Sequence, residues 1–214
     1  MDIQQNIFEM FEVPDPIRIQ KAAGLIRRFS GDIRGKSILE CGMAKGGIVD
    51  AFLKGGAQCF GVDINPRNVS GVLIKQADLN DGIPNFGMSF DVIFAGEVIE
   101  HLFNDEKFVD DVHKNLKENG IFVFTVPNLV FGVNRIRMLF GTTPKFAYAQ
   151  YHYHIYTKKV IENILERHGF LVKKIISSHV LFSTRKYKIG KIFEILGNIF
   201  PTFGAHLIVC ARKK

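Results

Sequence analysis

The chain has 214 residues, 47% of them hydrophobic and 23% charged, the make-up of an ordinary globular unit with enough length to bury a sizeable core, read as a single domain over 1–214. A net charge of +7 favours acidic surfaces or ligands but names no partner. No apolar run reaches the ~20 residues that span a bilayer, and the opening MDIQQNIFEMFEV carries acids with no basic start before an apolar block, so no signal peptide is expected. Cys41, Cys59 and Cys210 are scattered singly with no CxxC, which points to reduced thiols in a cytoplasmic protein and away from a zinc cluster. The first element is a helix from Asp15-Pro16, as N-cap and first helical residue, to about Phe29. Ile17, Ala22, Leu25, Ile26 and Phe29 form its apolar stripe, and Arg27-Arg28 sit in the last turn, where cations suit the helix dipole.

Ser37–Cys41 is short, apolar and ends at Gly42, as a buried parallel strand does. Gly42, Gly46 and Gly47 then permit a tight turn whose backbone can approach a ligand, with amides aimed from the start of the following helix. A second strand closes at Asp63, about 20 residues past Gly42, where a nucleoside-binding βαβ unit puts the carboxylate that takes a ribose diol. The spacing Gly42-x-Ala44-x-x-Gly47 loosely fits a dinucleotide fingerprint, yet Glu40 at the strand's end would repel a pyrophosphate and attract an ammonium group. A turn that binds nothing is the third alternative. The run Glu40-Cys41-Gly42-Met43-Ala44-Lys45-Gly46 resembles the first motif of the class I S-adenosylmethionine-dependent methyltransferases, with Ala44 in place of the middle glycine. The resemblance implies S-adenosylmethionine as cofactor and S-adenosylhomocysteine as product. The ammonium then lies near Glu40, the carboxylate lies on the turn of Gly42, Ala44 and Gly46, and the ribose on Asp63, with Ile64 beside it.

Asn65-Pro66 breaks the chain before a third strand, Val72–Ala77, which runs into Asp78-Leu79. By the same resemblance Asp78 accepts from the adenine amino group and the Leu79 amide meets the ring; an ordinary loop aspartate is the plainer alternative. Phe90–Ala95 is a fourth strand, leading into Gly96-Glu97-Val98-Ile99-Glu100-His101-Leu102. This EVIEHL run resembles the ubiquinone-type O-methyltransferases and the methionine-biosynthesis W group, in which Ala95, Gly96 and Glu97 would line the methionine end of the cofactor. Glu97 and Glu100 could add negative potential near a sulfonium. His101 is a candidate base, or else Glu100 and His101 simply pin the next helix. That helix starts at Asn104, carries Phe108, Val112 and Leu116, and stops at the turn Glu118-Asn119-Gly120. Ile121–Val126 is a fifth, fully buried strand.

Residues 127–156 form a connection far longer than the usual ~2–6 residues, a candidate lid or substrate insertion. It carries Phe131, Arg135, Arg137, Met138, Phe140, Lys145, Phe146, Tyr148, Tyr151, His152, Tyr153 and His154, with 134–140 as a short helix; the mix suits an acidic or lipid-like acceptor, or merely covers the sheet. His152 and His154 could face the acceptor, serve as bases with His101, or tie the loop down; with no third ligand apparent nearby, no metal is expected. Thr157 caps a helix to His168-Gly169, a sixth strand covers 171–177, and a last strand covers 206–211. Between them Ile189, Ile192, Phe193, Leu196, Ile199 and Phe200 recur at helical spacing beside Lys186, Lys188 and Lys191. That face suits core packing, or peripheral contact with a membrane over 186–203. Alternating strands and helices predict a parallel α/β sheet. The resemblance implies a Rossmann-like three-layer sandwich of seven strands, mostly parallel, in the order 3-2-1-4-5-7-6 with the last antiparallel. It further implies methyl transfer to a small or lipid-linked acceptor, with no nucleic-acid module visible. A catalytically silent relative and an NAD(P)-dependent oxidoreductase are the other two readings.

Overall fold

The computed structural model describes residues 16–43, 47–144, 152–180 and 188–214. Their elements, in order, are α1 (Pro16–Ser30), β1 (Ser37–Cys41), α2 (Val49–Leu53), β2 (Gln58–Asp63), β3 (Val72–Gln76), β4 (Phe90–Gly96), α3 (Asp105–Asn115), β5 (Leu116–Pro127), α4 (Gly132–Leu139), α5 (Lys158–Arg167), β6 (Phe170–Ser177), α6 (Lys188–Ile199) and β7 (His206–Lys213). The seven strands form one sheet in the order β3-β2-β1-β4-β5-β7-β6. The pairs from β3 to β5 are parallel, and β7 runs antiparallel to both β5 and β6. Fold class and strand order match the expectation from the sequence.

Period-two alternation distributes the apolar side chains between two cores. Leu39 and Cys41, Ile93 and Ala95, Phe122 and Phe124, and Leu207 and Val209 point to one face, where α3 and α5 add Phe108, Val112, Ile161 and Leu165. Ile38, Val92, Phe94, Ile121, Val123, Ile208 and Cys210 point to the other, where α1 and α2 add Ala22, Leu25, Ile26 and Phe52. Helices therefore cover both faces, as a parallel sheet buried on both sides requires. All three cysteines are buried free thiols. Burial pushes the Cys59 thiol up to about 11 and Cys210 to about 12, so neither is a nucleophile at neutral pH.

Three expectations need correction. Leu116 continues the apolar stripe of α3 in sequence, but the helix ends at Asn115 and Leu116 is already extended, the first residue of β5. The residues 118–120 do turn the chain, though inside the strand: pairing with β4 jumps from Phe90↔Leu116 to Val92↔Ile121, and Asn119 has φ 62°. The stripe on α6 packs less than a core reading requires, since Ile192, Ile199 and Phe200 are each more than half exposed. Helical amphipathy specifies a face but not what it meets. Among the described residues no helix is long and apolar enough to cross a membrane. The Asp15 cap, insertion residues Lys145, Phe146, Tyr148 and Tyr151, and Lys186 lie outside the described residues.

Candidate functional site

The parallel register Cys41↔Val62, Cys41↔Ala95 and Asp63↔Gln76 puts the C-terminal ends of β3, β2, β1 and β4 on one edge of the sheet. Residues leaving those strands, Gly42, Asp63 with Ile64, Asp78 with Leu79, and Gly96 with Glu97, therefore meet along one crest. Ala95 is the last buried step of β4 below it. Gly42 has φ 72°, its amide donates to the Val62 carbonyl at 2.9 Å, and a Cβ there would collide with the Val98 methyl. Both the backbone conformation and the approach of the β4 exit thus demand glycine. Ala44 and Gly46 lie outside the described residues.

Glu40 is only 4% exposed, and its Oε2 accepts from the amides of Val49 at 3.1 Å and Ile48 at 3.4 Å. The carboxylate thus ties the tip of β1 to the start of α2 rather than standing in open solvent. Desolvation raises its pKa to about 8 against those two amide bonds, with the nearby charges of Asp50 and Asp63 adding to the rise. Asp63 is half-buried and its Oδ1 accepts from the Asn65 amide at 2.8 Å, while Ile64 is exposed. Asp78, also half-buried, folds its Oδ1 onto the amide and side chain of Asn80 at 2.8 and 2.9 Å, an Asx-type turn, and Leu79 is buried. Asn80 in turn accepts from the Phe103 amide at 2.8 Å, linking this loop to the segment after β4.

At the exit of β4, Glu97 adopts a left-handed backbone, φ 57°, that non-glycine residues rarely take. Its amide donates to the Thr125 carbonyl at 3.1 Å and to the hydroxyl at 3.2 Å. That hydroxyl donates to Glu97 Oε1 at 3.0 Å and accepts from Arg18 Nη1 at 2.6 Å. Arg18 also faces the same carboxylate oxygen at 3.3 Å, and His206 Nε2 lies 3.9 Å from the other. Arg18, Thr125 and His206 were not among the expected site residues. Arg18 sits four and seven residues before Ala22 and Leu25, on the apolar stripe itself, and Thr125 interrupts an otherwise apolar strand. A polar residue on a buried face was the available signal.

Of the three candidate histidines, His101 and His152 come together, their rings 4.7 Å apart and close to edge-to-face. The amides of Tyr153 and His154 donate to the Glu100 carbonyl at 2.8 and 3.3 Å, which holds this returning segment against the β4 exit. His154 stands apart: Nε2 can only donate to the Phe103 carbonyl at 3.4 Å, and Nδ1 lies 3.7 Å from Asp105, whose Oδ2 already accepts from Tyr156 at 2.7 Å. Its contacts are those of a residue tying the loop down. Glu100 is 1% exposed, its carboxyl raised well above the ordinary range by burial and by the charge of Glu97. Among the described residues neither of its oxygens has a hydrogen-bond partner. Glu100, His101 and His152 each offer a ligand atom within 4.8 Å of the others. The partners of His152 in this cluster come from the β4 exit, far away in sequence, and His154 is not among them.

A family model described as a methyltransferase domain matches residues 16–175, which includes every residue of this crest. A protein of Mycolicibacterium smegmatis described as a probable S-adenosylmethionine-dependent methyltransferase is 26% identical over 110 residues, 49% of this chain and 43% of that protein. The match therefore spans less than half of that relative. Among solved structures, a SAM-dependent methyltransferase from Archaeoglobus fulgidus superposes with a TM-score of 0.65 at 15% identity, covering 99% of this chain and 100% of that one. The 1,6-didemethyltoxoflavin-N1-methyltransferase of Burkholderia thailandensis, with its substrate and S-adenosylhomocysteine bound, gives 0.64 at 14% identity, covering 97% and 81%. At such identities the structural likeness speaks for the fold.

Proposed function

The chain belongs to the class I S-adenosylmethionine-dependent methyltransferase family, and from that premise we propose that it moves the sulfonium methyl of this cofactor to a small or lipid-like acceptor. The observation that carries the reading is the crest itself: a glycine turn, two acids and a left-handed glutamate on four adjacent strand tips, at the point where the sheet order reverses. In this reading Asp63 takes the ribose diol, with Ile64 over the sugar. Asp78 and the Leu79 amide take the adenine edge. The turn of Gly42, Ala44 and Gly46 receives the carboxylate, and Ala95, Gly96 and Glu97 line the methionine end. The cofactor ammonium approaches Glu40 and lowers the proton affinity that burial has raised, so binding releases a proton near neutral pH.

Transfer is an in-line attack by an acceptor oxygen, nitrogen or carbon on the methyl carbon. The sulfur keeps the electron pair of the breaking bond and leaves as a neutral thioether, and the acceptor gives up a proton. Most of the acceleration then comes from alignment and exclusion of water. If the acceptor is a hydroxyl, His101 and His152 stand nearer the β4 exit than His154, whose ring is engaged with Phe103 and Asp105.

A small acceptor is supported by the toxoflavin-precursor enzyme, whose acceptor is a single small molecule. A lipid-like one is supported by the exposed Leu139 and Phe140 of the insertion and by Ile199, Phe200 and Phe203 beyond it. These would also serve the peripheral membrane contact expected over 186–203. Calorimetry with S-adenosylmethionine, S-adenosylhomocysteine and NAD tests the premise: the first two should bind and NAD should not. A labelled-methyl screen against small phenols, amines and prenylated or acylated acceptors then separates an enzyme from a silent binder. Tight cofactor binding with no transfer to any acceptor class would favour the silent relative.

A further inference from the structure

We propose that His168 is a pH-sensitive clasp holding the tail of α5 against α3, closed while its ring carries two protons and opening as the second is lost. The geometry fixes the closed state. Nδ1 lies 2.5 Å from Asp110 Oδ1, and Nε2 lies 3.0 Å from Glu106 Oε2. A carboxylate offers only acceptors, so both nitrogens must donate, and only the imidazolium can do that. A neutral ring keeps one of these bonds and turns a lone pair on the other carboxylate.

The surroundings point the same way. Arg167 donates to the other oxygen of Glu106 at 2.5 Å, so two cations and two carboxylates form one neutral cluster across the two helices. Loss of one proton leaves that cluster with an unmatched negative charge. His168 is also the C-cap of α5, where the helix dipole favours a cation. The titratable groups facing it from α3 are Glu106, Asp110 and, one turn on, His113, which lies against Gly169 and the Phe170 ring. On β7 the Lys213 Nζ is taken by Glu118 and by the Leu116 carbonyl. Burial of the His168 ring works against its charge, yet the bonds to Glu106 and Asp110 outweigh that cost and raise it above its ordinary range. In His113 burial and the charge of Lys213 act together, and it is lowered.

The head of α5 is tied differently. Tyr156 donates to Asp105 Oδ2 at 2.7 Å, and burial, then that bond, raise its phenol still further above the neutral range. The first two turns of α3 thus hold α5 by a pH-insensitive tie at its head and a pH-sensitive one at its tail. The bearing of this on the acceptor wall, residues 152–156, rests on the proposed function; the clasp itself does not. The folded ring keeps its second proton to higher pH than the unfolded chain does. The clasp is therefore at full strength below the ordinary histidine value of about 6.5, and is lost as pH rises through the higher folded value.

The test is proton NMR of the imidazoles in the full chain, with no cofactor added. His168 should titrate above about 6.5 and His113 below it. The His168 and Gly169 amides bond to the Ile164 and Glu166 carbonyls, and their protection from exchange should fall by up to about tenfold per pH unit across the His168 titration. Glu106→Gln combined with Asp110→Asn should bring the His168 titration down, and His168→Gln should leave the protection low and flat with pH. A His168 midpoint at or below about 6.5, or amide protection that neither pH nor His168→Gln alters, overturns the clasp. S-adenosylhomocysteine plays no part in these readings, so its failure to bind would sink the methyltransferase reading and leave the clasp standing.

Discussion

Two glutamates are buried near the C-terminal ends of neighbouring strands, Glu40 within β1 and Glu100 beyond β4, and their surroundings differ. Glu40 meets two backbone amides at the start of α2, while among the described residues no other residue donates to either oxygen of Glu100. On the β1 side the chain supplies its own complement: the turn closes on Gly42, Asp63 and Asp78 fold onto nearby amides, and the carboxyl is satisfied before any ligand arrives. On the β4 side the imidazoles and the acid converge, but the acid is left unmet. The contrast separates a buried carboxyl tied down by backbone amides from one that no described donor meets.

The largest effect expected on the first region comes from Gly42→Val, which forces a branched residue into a left-handed backbone and against Val98. A loss of about 2–4 kcal/mol in urea unfolding, with cofactor binding abolished in calorimetry, is the prediction. Asp63→Ala should leave the fold intact, because the carboxylate holds only its own turn, yet weaken S-adenosylhomocysteine by about 10–100-fold; unchanged affinity would remove the ribose assignment. Glu40 sets a pH dependence with a defined sign. The folded state holds its proton up to about pH 8 and the unfolded chain releases it near the ordinary carboxyl value, so this contribution to stability is present in acid and is lost as pH rises toward 8. Cofactor affinity should move the other way, strengthening by up to about tenfold per unit as pH climbs to 8, and Glu40→Gln should flatten both curves. The raised carboxyl of Glu100 acts in the same direction on stability, so Glu100→Gln should flatten that curve further while leaving the pH slope of cofactor binding in place. The smallest change is Lys107→Ala, an exposed ion pair with Asp111, expected within about 0.5 kcal/mol in the same unfolding assay.

Much of the fold could be read ahead because its signals are local. Asn104 accepts from the Lys107 amide and Thr157 from the Val160 amide, as capping residues do, and Gly169 takes φ 78° after α5. The near-continuous apolar runs Ile38–Cys41 and Ile121–Val126 required both faces to be covered, and both are. The crest acids Asp63 and Asp78 were legible through spacing and resemblance. What escaped was set by partners distant in sequence. Arg18 drew no role from the sequence, because Thr125 and Glu97, which give it a buried address, come from strands far along the chain. Glu100 was read either as negative potential near a sulfonium or as an acid pinning the next helix, and the capping of that helix falls to Asn104. The apolar stripe of α6 was plain, but only the sheet could decide how much of it to cover.

The Glu100 carbonyl accepts from two successive amides, so one peptide oxygen pins the segment entering α5 to the turn leaving β4. A displacement of either segment would reach the other through that single shared fulcrum, and were two guests coupled in this way, thermodynamic reciprocity would have each alter the affinity of the other by the same factor.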